Sequence, residues 1–473
     1  MFDSNHVHDE GCNHDNEKNQ SIQKIKQLVE YLKNAAQHSS ENKEYHNWFS
    51  YCAQWVENQI DNNKSSKEDY LIKEKLININ FSKKKIVVLG RGTAGSQAAA
   101  HVYRWMSDHE IEWHFDPSIN TQAVGEGSTL DLPANLFKNI SFRHEDLDCV
   151  DGSFKTGIYK KYWGETGKEF IHGFMPPATS YHFNAVALQD FIFEKLKSQI
   201  KVVKTNHKNS SEIDADLVID CSGKPSNYNN YHISEYIAVN SVYVTQCYWD
   251  YARFQYTLTL ARPYGWVFGI PLKNRCSIGY LFNNNINSLD EIKEDVKNVF
   301  KEFNLNPSKT TSHFNFESYV KNQNFAKHVS FNGNASFFLE PLEATSINAM
   351  SVINNLITAK FNNKISEEQA NEFYKNHMEA TETVIMLHYF SGSVFNTKFW
   401  EYAKDRGAKC IEDRLKNKKF KEIISHSLIQ NLDLGKITDP PSGHGHYGSW
   451  CPQSFVQNIY GLELKDKLKN ILI

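Results

Sequence analysis

Nowhere in the 473 residues is there an unbroken apolar run of the length a membrane-spanning helix needs. The amino terminus is polar and rich in His and Asp, which excludes the profile of a secretory signal. Neither sign of charge dominates, with 52 Lys and Arg against 55 Asp and Glu and a net charge of −3. Without a basic stripe, the electrostatic footprint of a nucleic-acid binder is missing. The 8 cysteines are scattered and contain no C-x-x-C, so neither a disulfide framework nor a thiol redox pair is expected. These absences together describe a reduced, cytoplasmic chain with no membrane and no nucleic-acid partner. No internal repeat and no low-complexity linker divides it. What it does have is length enough for two or three domains and a high aromatic content of 13%.

Residues 1–18 read as a disordered tail, in which His6, His8, Cys12 and His14 match no closed metal-site spacing, so no metal is expected. Residues 19–83 read as a helical appendage. Ile22, Ile25, Leu28, Val29 and Leu32 recur at intervals of three and four, and Trp48, Phe49, Tyr51, Trp55, Val56 and Ile60 form a second amphipathic set. Such helices are expected to pack on the main domain or on a second copy of the chain, as a homo-oligomer contact. Residues 84–473 form the main domain.

The main domain opens on Ile86-Val87-Val88-Leu89, a short β-branched run suited to a strand buried on both faces. Gly90, Gly92 and Gly95 follow as G-x-G-x-x-G, with Thr93 and Ala94 among them, and Ala98, Ala99 and Ala100 continue a small-residue helix. The first glycine permits a tight turn, the second lets backbone approach a pyrophosphate, and the third lets helix and strand pack closely. The helix N-terminus then faces the anion. A second strand-like run, Ile111 to Phe115, ends at Asp116, 26 residues after Gly90, near the spacing at which a carboxylate takes a ribose hydroxyl. A dinucleotide cofactor is therefore expected here.

Further along, Val124-Gly125-Glu126-Gly127-Ser128-Thr129 reads as a loop of small residues, and Asp151 to Tyr159 as one alternating strand with Lys155 on the face of Ser153, Gly157 and Tyr159. By alternation alone Lys155 reads as an ordinary exposed lysine. Tyr181 to Asn184 precedes a helix from Ala185 to Leu196. Ala215 to Gly223 reads as a buried strand ending in a turn. Alternating aromatics between Val239 and Tyr280 suggest an antiparallel sheet. Asp290 to Phe303 is an amphipathic helix, and the stretches from Ser346 and from Glu367 are helical.

Eight blocks in order carry a resemblance to the flavin-dependent halogenases of the tryptophan halogenase superfamily, over roughly Lys84 to Leu462. They are GRGTAG (90–95), VGEG (124–127), GSFKTGIYKKYWG (152–164), YHFN (181–184), DCSG (220–223), GWVFGIP (265–271), FLEPLEATS (338–346) and HYF (388–390). The resemblance implies a doubly wound, Rossmann-like α/β FAD-binding domain of the flavin monooxygenase type, with a mixed and antiparallel sheet and a helical substrate subdomain. FAD contacts would come from Gly90, Gly92, Thr93, Ala94, Gly95, Asp116, Val124, Gly125, Glu126, Ser222, Gly223 and Asn334.

It further implies that Lys155 receives hypohalous acid made from halide, dioxygen and reduced FAD, either hydrogen-bonding it or becoming a haloamine. Glu343 would stabilise the cationic arene and help remove its proton. Thr345 and Ser346 match the halide site, whether for chloride, bromide or iodide. Trp266 and Phe268 stand where the family keeps substrate and flavin apart, and Trp450 where it places a substrate-pocket aromatic. A separate flavin reductase is expected, because no second dinucleotide-binding unit is present. Three positions depart from the pattern: Phe268 replaces a tryptophan, Ser346 a glycine and Asn334 an aspartate. Only 26 positions separate Lys155 from Tyr181. A pocket with so short an insertion favours small phenols, indoles or other electron-rich arenes over free tryptophan. Aromatic hydroxylation on the same fold and a non-catalytic FAD-binding scaffold are the alternative readings.

Overall fold

The computed structural model describes residues 83–472 apart from 120–124, 175–177, 208 and 441–444, together with helical Glu30 and Lys33. Two compact units divide the chain, Met1–Ser82 and Lys83–Ile473. The His-rich tail and both helical stretches expected of the first unit lie outside the described residues but for Glu30 and Lys33.

In the second unit the apolar run becomes the central strand of a six-stranded sheet. Lys85–Leu89 runs parallel to Glu110–Phe115 on one side and to Leu217–Asp220 on the other. Lys201–Lys204 and Val329–Phe331 extend the parallel set, and Phe325–Ala326 closes one edge antiparallel. Val87 and Val88 are both wholly buried, which is why this strand is continuously apolar instead of alternating. Helices Thr93–Trp105 and Ala185–Leu196 cover one face, and Asn184 caps the second by accepting from the amides of Val186 and Ala187.

A seven-stranded sheet forms the other layer, antiparallel except where Gly157–Lys161 lies parallel to Thr257–Arg262. One face packs on helix Leu289–Glu302 through Ile292, Val296 and Val299. Trp163, Trp266 and Leu281 join the opposite core, which holds the long helices Glu367–Ser391 and Lys398–Arg414 through Val384, Trp400 and Ile411. No helix among the described residues is long and apolar enough to cross a membrane.

Two local expectations change. The small-residue loop after Val124 contains a strand, Gly125–Gly127, because it pairs with His182, Phe183 and Asn184. The alternating stretch from Asp151 to Tyr159 is two strands in two sheets. Ser153–Lys155 pairs with Ser180–Asn184, whereas Gly157–Lys161 belongs to the seven-stranded sheet. Thr156 is the joint: its amide and its hydroxyl both donate to the Gln255 carbonyl at 2.8 Å, which pulls the chain from one sheet to the other.

Candidate functional site

The first half of the site lies at the carboxyl end of the parallel strands. Gly90 has φ +91°, and a Cβ there would collide with the Cys221 carbonyl; one at Gly95 would collide with the Gly90 carbonyl. Both glycines are therefore required for the turn to close. Helix Thr93–Trp105 starts at Gly92 with no side-chain cap, which leaves its first-turn N–H groups for a ligand. Thr93 Oγ1 donates to Glu126 at 3.0 Å and accepts from Gln189 at 3.1 Å, tying the glycine loop to the strand Gly125–Gly127. Burial pushes the Glu126 carboxyl up to about 7, against the Thr93 hydrogen bond.

Asp116 stands at the end of the second strand, where Ser118 and Asn206 donate to it and hold its carboxyl below the usual range. Ser222 donates to Asp220, and Gly223, at φ +105°, faces open space. Asn334 is exposed on the turn that carries Gly333 against Ala94. Uncapped amides, an end-of-strand carboxylate and a glycine-edged space fit the phosphates and ribose of FAD. Val124 lies outside the described residues. We expect Gly90→Ala to destabilise the fold by on the order of 2 kcal/mol and to abolish FAD binding, since side chains are strained at that φ and the carbonyl cannot yield. Thermal unfolding and flavin-fluorescence titration check both.

The second half is built around Lys155. Its side chain is fully buried and Nζ has no hydrogen-bond partner among the described residues. The Phe174 ring centroid lies 5.8 Å away, and a Cβ on Gly127 would stand 3.5 Å from Nζ, so the absence of a side chain there leaves room beside the amine. Burial lowers its pKa to about 8; Glu343 opposes that shift and Lys160 adds to it.

Glu343 is held by a turn of unusual backbone. Both Glu343 (φ +67°) and Ala344 (φ +56°) are left-handed without being glycine, a conformation that costs about 1 kcal/mol or more per residue. The turn aims the carboxylate inward and starts helix Thr345–Phe361 immediately afterwards. Thr345 is buried at that helix N-terminus, and Ser346 follows it. Burial raises the Glu343 carboxyl, but Lys160 and His172 overcome it and hold the group well below the ordinary carboxylate range.

Sequence reasoning missed the groups that do this. Lys160 Nζ donates to Glu343 Oε1, to His388 Nε2 at 2.7 Å and to Asn458 Oδ1 at 2.6 Å. His172 Nδ1 meets Glu343 Oε2 at 2.9 Å, and its Nε2 meets Ser454 Oγ at 3.1 Å. Lys160 and His388 fall inside two of the ordered blocks, but nothing in their spacing marks them as partners.

Trp266 is buried, with its ring 6.3 Å from that of half-buried Phe268. Behind them Glu340 is fully buried and accepts from the Tyr389 hydroxyl at 2.7 Å. Burial raises its carboxyl to about 8 despite contacts with Tyr389 and Trp266. Trp450 packs in the helical core near Tyr447 and Phe455.

The tryptophan halogenase family model matches residues 85–202 and 193–422. Tryptophan 6-halogenase ThaL of Streptomyces albogriseolus is 23% identical over 54% of this chain and 50% of its own, so the chain spans about half the length of that relative. Tryptophan 6-halogenase SttH of Streptomyces toxytricini is 23% identical over 80% of this chain and 89% of its own. Among solved structures, Xcc4156, a flavin-dependent halogenase from Xanthomonas campestris, superposes with a TM-score of 0.65 at 18% identity, covering 82% of this chain and 93% of that one. Matched across most of its length, and with the same fold, this chain belongs to the tryptophan halogenase family.

Proposed function

We propose that the protein halogenates an electron-rich aromatic substrate, with Lys155 carrying the halogen. The observation that supports this most is a fully buried amine with no hydrogen-bond partner among the described residues, in the field of a buried carboxylate held well below its ordinary range. Reduced FAD, renewed by a separate reductase, supplies with dioxygen the oxidising power that turns halide into hypohalous acid. Gly90, Gly92, Thr93, Ala94, Gly95, Gly125, Glu126, Ser222, Gly223 and Asn334 would hold it, with Asp116 on the ribose; Val124 belongs with them by the resemblance alone. Thr345 and Ser346, at a helix N-terminus, suit a halide ion.

The neutral Lys155 amine takes halogen from hypohalous acid, forming an N–halogen bond and releasing water. The arene then attacks that halogen, and loss of its ring proton restores the amine and completes the product. Glu343, held as a carboxylate, stabilises the positive charge that develops on the ring. Its depressed pKa makes it a weak base, so charge stabilisation outweighs proton removal in its role. Trp266 and Phe268 would separate the arene from the cofactor, and Trp450 would border the substrate space. The short insertion after Lys155 favours phenols and indoles as substrates.

Mass spectrometry tests this. Purified protein, FAD, a flavin reductase and NADH are incubated with a phenol and indole panel in chloride, bromide or iodide, with catalase present. We expect product mass to rise by halogen minus hydrogen. An oxygen gain instead would move the reading to hydroxylation, which Phe268 in place of a tryptophan keeps in view. Neither product would leave a flavin-binding scaffold.

A further inference from the structure

Two fully buried lysines lie five positions apart on one stretch of chain, and their surroundings are opposite. Among the described residues Lys155 has no hydrogen-bond partner, whereas Lys160 has three. We propose that Lys160 is a positioning residue, a fixed counter-ion that occupies Glu343 and so keeps the Lys155 amine unpaired. This deepens the halogenase reading and rests on it.

The hydrogen bonds fix the assignment. An ammonium has three N–H groups and no acceptor, and at Lys160 each meets an acceptor. His388 Nδ1 lies 2.9 Å from the Val384 carbonyl, which can only accept, so that nitrogen carries the proton and Nε2 offers a lone pair to Lys160. Burial and the nearby Lys160 charge hold His388 down at about 4, in keeping with a neutral ring, and outweigh the Glu343 carboxylate, whose Oε1 lies 3.2 Å from Nε2. Asn458 Nδ2 donates to the Ser454 carbonyl at 3.0 Å, which orients Oδ1 toward Lys160. The second Glu343 oxygen is taken by His172. Glu343 therefore has both oxygens engaged without Lys155.

Among the described residues, the titratable groups that act on Lys155 come from three directions. Glu343 acts from the turn before helix Thr345–Phe361, Lys160 from strand Gly157–Lys161, and His182 from strand Ser180–Asn184. His182 is buried and held well below its ordinary range by burial and by the Lys155 charge, so it is neutral. Lys160 thus acts twice: its like charge disfavours a second ammonium, and its ion pair partly offsets the carboxylate that favours one.

The test is the pH dependence of Lys155 carbamylation by cyanate, which consumes the neutral amine. It is read by peptide mass spectrometry on the full chain, against an exposed lysine of the same protein. Halogenation is followed over the same pH range. In Lys160→Met we expect the Lys155 midpoint to rise by at least about one pH unit, so that modification near pH 7 slows about tenfold, and the rising limb of halogenation moves with it. Lys160→Arg, which keeps the charge, should hold the wild-type midpoint.

The double variant Lys160→Met with Glu343→Gln removes both charges. It should fold even where the single variant does not, with a midpoint no higher than wild type. An unmoved midpoint in Lys160→Met, an equal rise in Lys160→Arg, or a raised midpoint in the double variant would overturn the proposal. A shifted midpoint in a protein that halogenates nothing would support the hold of Lys160 on Lys155 and count against the halogenase reading.

Discussion

Lys155→Met is expected to bind FAD and release hydrogen peroxide while halogenated product falls about a thousandfold or more, and to be more stable than wild type near pH 7. The two halves of this result have one cause. Moving the amine from its ordinary 10.5 to about 8 means that burying the ammonium costs about 3 kcal/mol, at about 1.4 kcal/mol per pH unit. The sign follows from the lowered folded pKa. The penalty is fully present below about 8, fades as pH rises toward 10.5, and is absent above that. Methionine fills similar volume without a charge, so its stabilising effect should be largest at neutral pH and vanish in strong alkali. Melting temperatures across that range measure it, with flavin fluorescence and a peroxide assay alongside. Loss of activity with gain of stability is the behaviour of a residue kept for chemistry. Undiminished halogenation would remove Lys155 from the mechanism.

Glu343→Gln should show the opposite stability effect. The amide cannot neutralise Lys160, and an uncompensated buried charge typically costs about 3–5 kcal/mol. Halogenation should slow by about ten- to ten-thousand-fold, the range for losing a charge that stabilises a transition state. The Lys155 amine itself loses a neighbour that raises its pKa, so its reaction with hypohalous acid should be no slower than in wild type. A quenched reaction that contains N-halogenated Lys155 but little product would locate the defect in transfer to the arene. Removing Lys160 as well should recover most of the lost stability and none of the turnover, because the two charges share one network and their effects are not additive. Near-wild-type turnover in Glu343→Gln would exclude the carboxylate from the chemistry.

Sequence by itself determined those parts of the protein whose physics is local. A β-branched run followed by spaced glycines specifies a buried strand, a turn that accepts no Cβ and an open helix end, and these are found at Lys85–Leu89, Gly90 and Thr93. The apolar segment from Ala185 to Leu196 specifies a helix, which is found with those bounds and is capped by Asn184. The order of short blocks was enough to identify the family and, through it, to single out Lys155 and Glu343 as expected site residues, though periodicity alone would have left Lys155 in solvent.

Tertiary structure decided everything that depends on which distant groups meet. The break at Thr156 sends Lys155 and Lys160 into different sheets, and it follows from two hydrogen bonds to Gln255, 99 positions away. Lysine is almost never buried without partners. Those of Lys160 lie 183, 228 and 298 positions along the chain, at separations no local pattern records. The depressed Glu343 carboxyl and the lone Lys155 amine are consequences of that meeting. A residue type can be read from a sequence, but its charge state is set by neighbours that only the folded chain assembles.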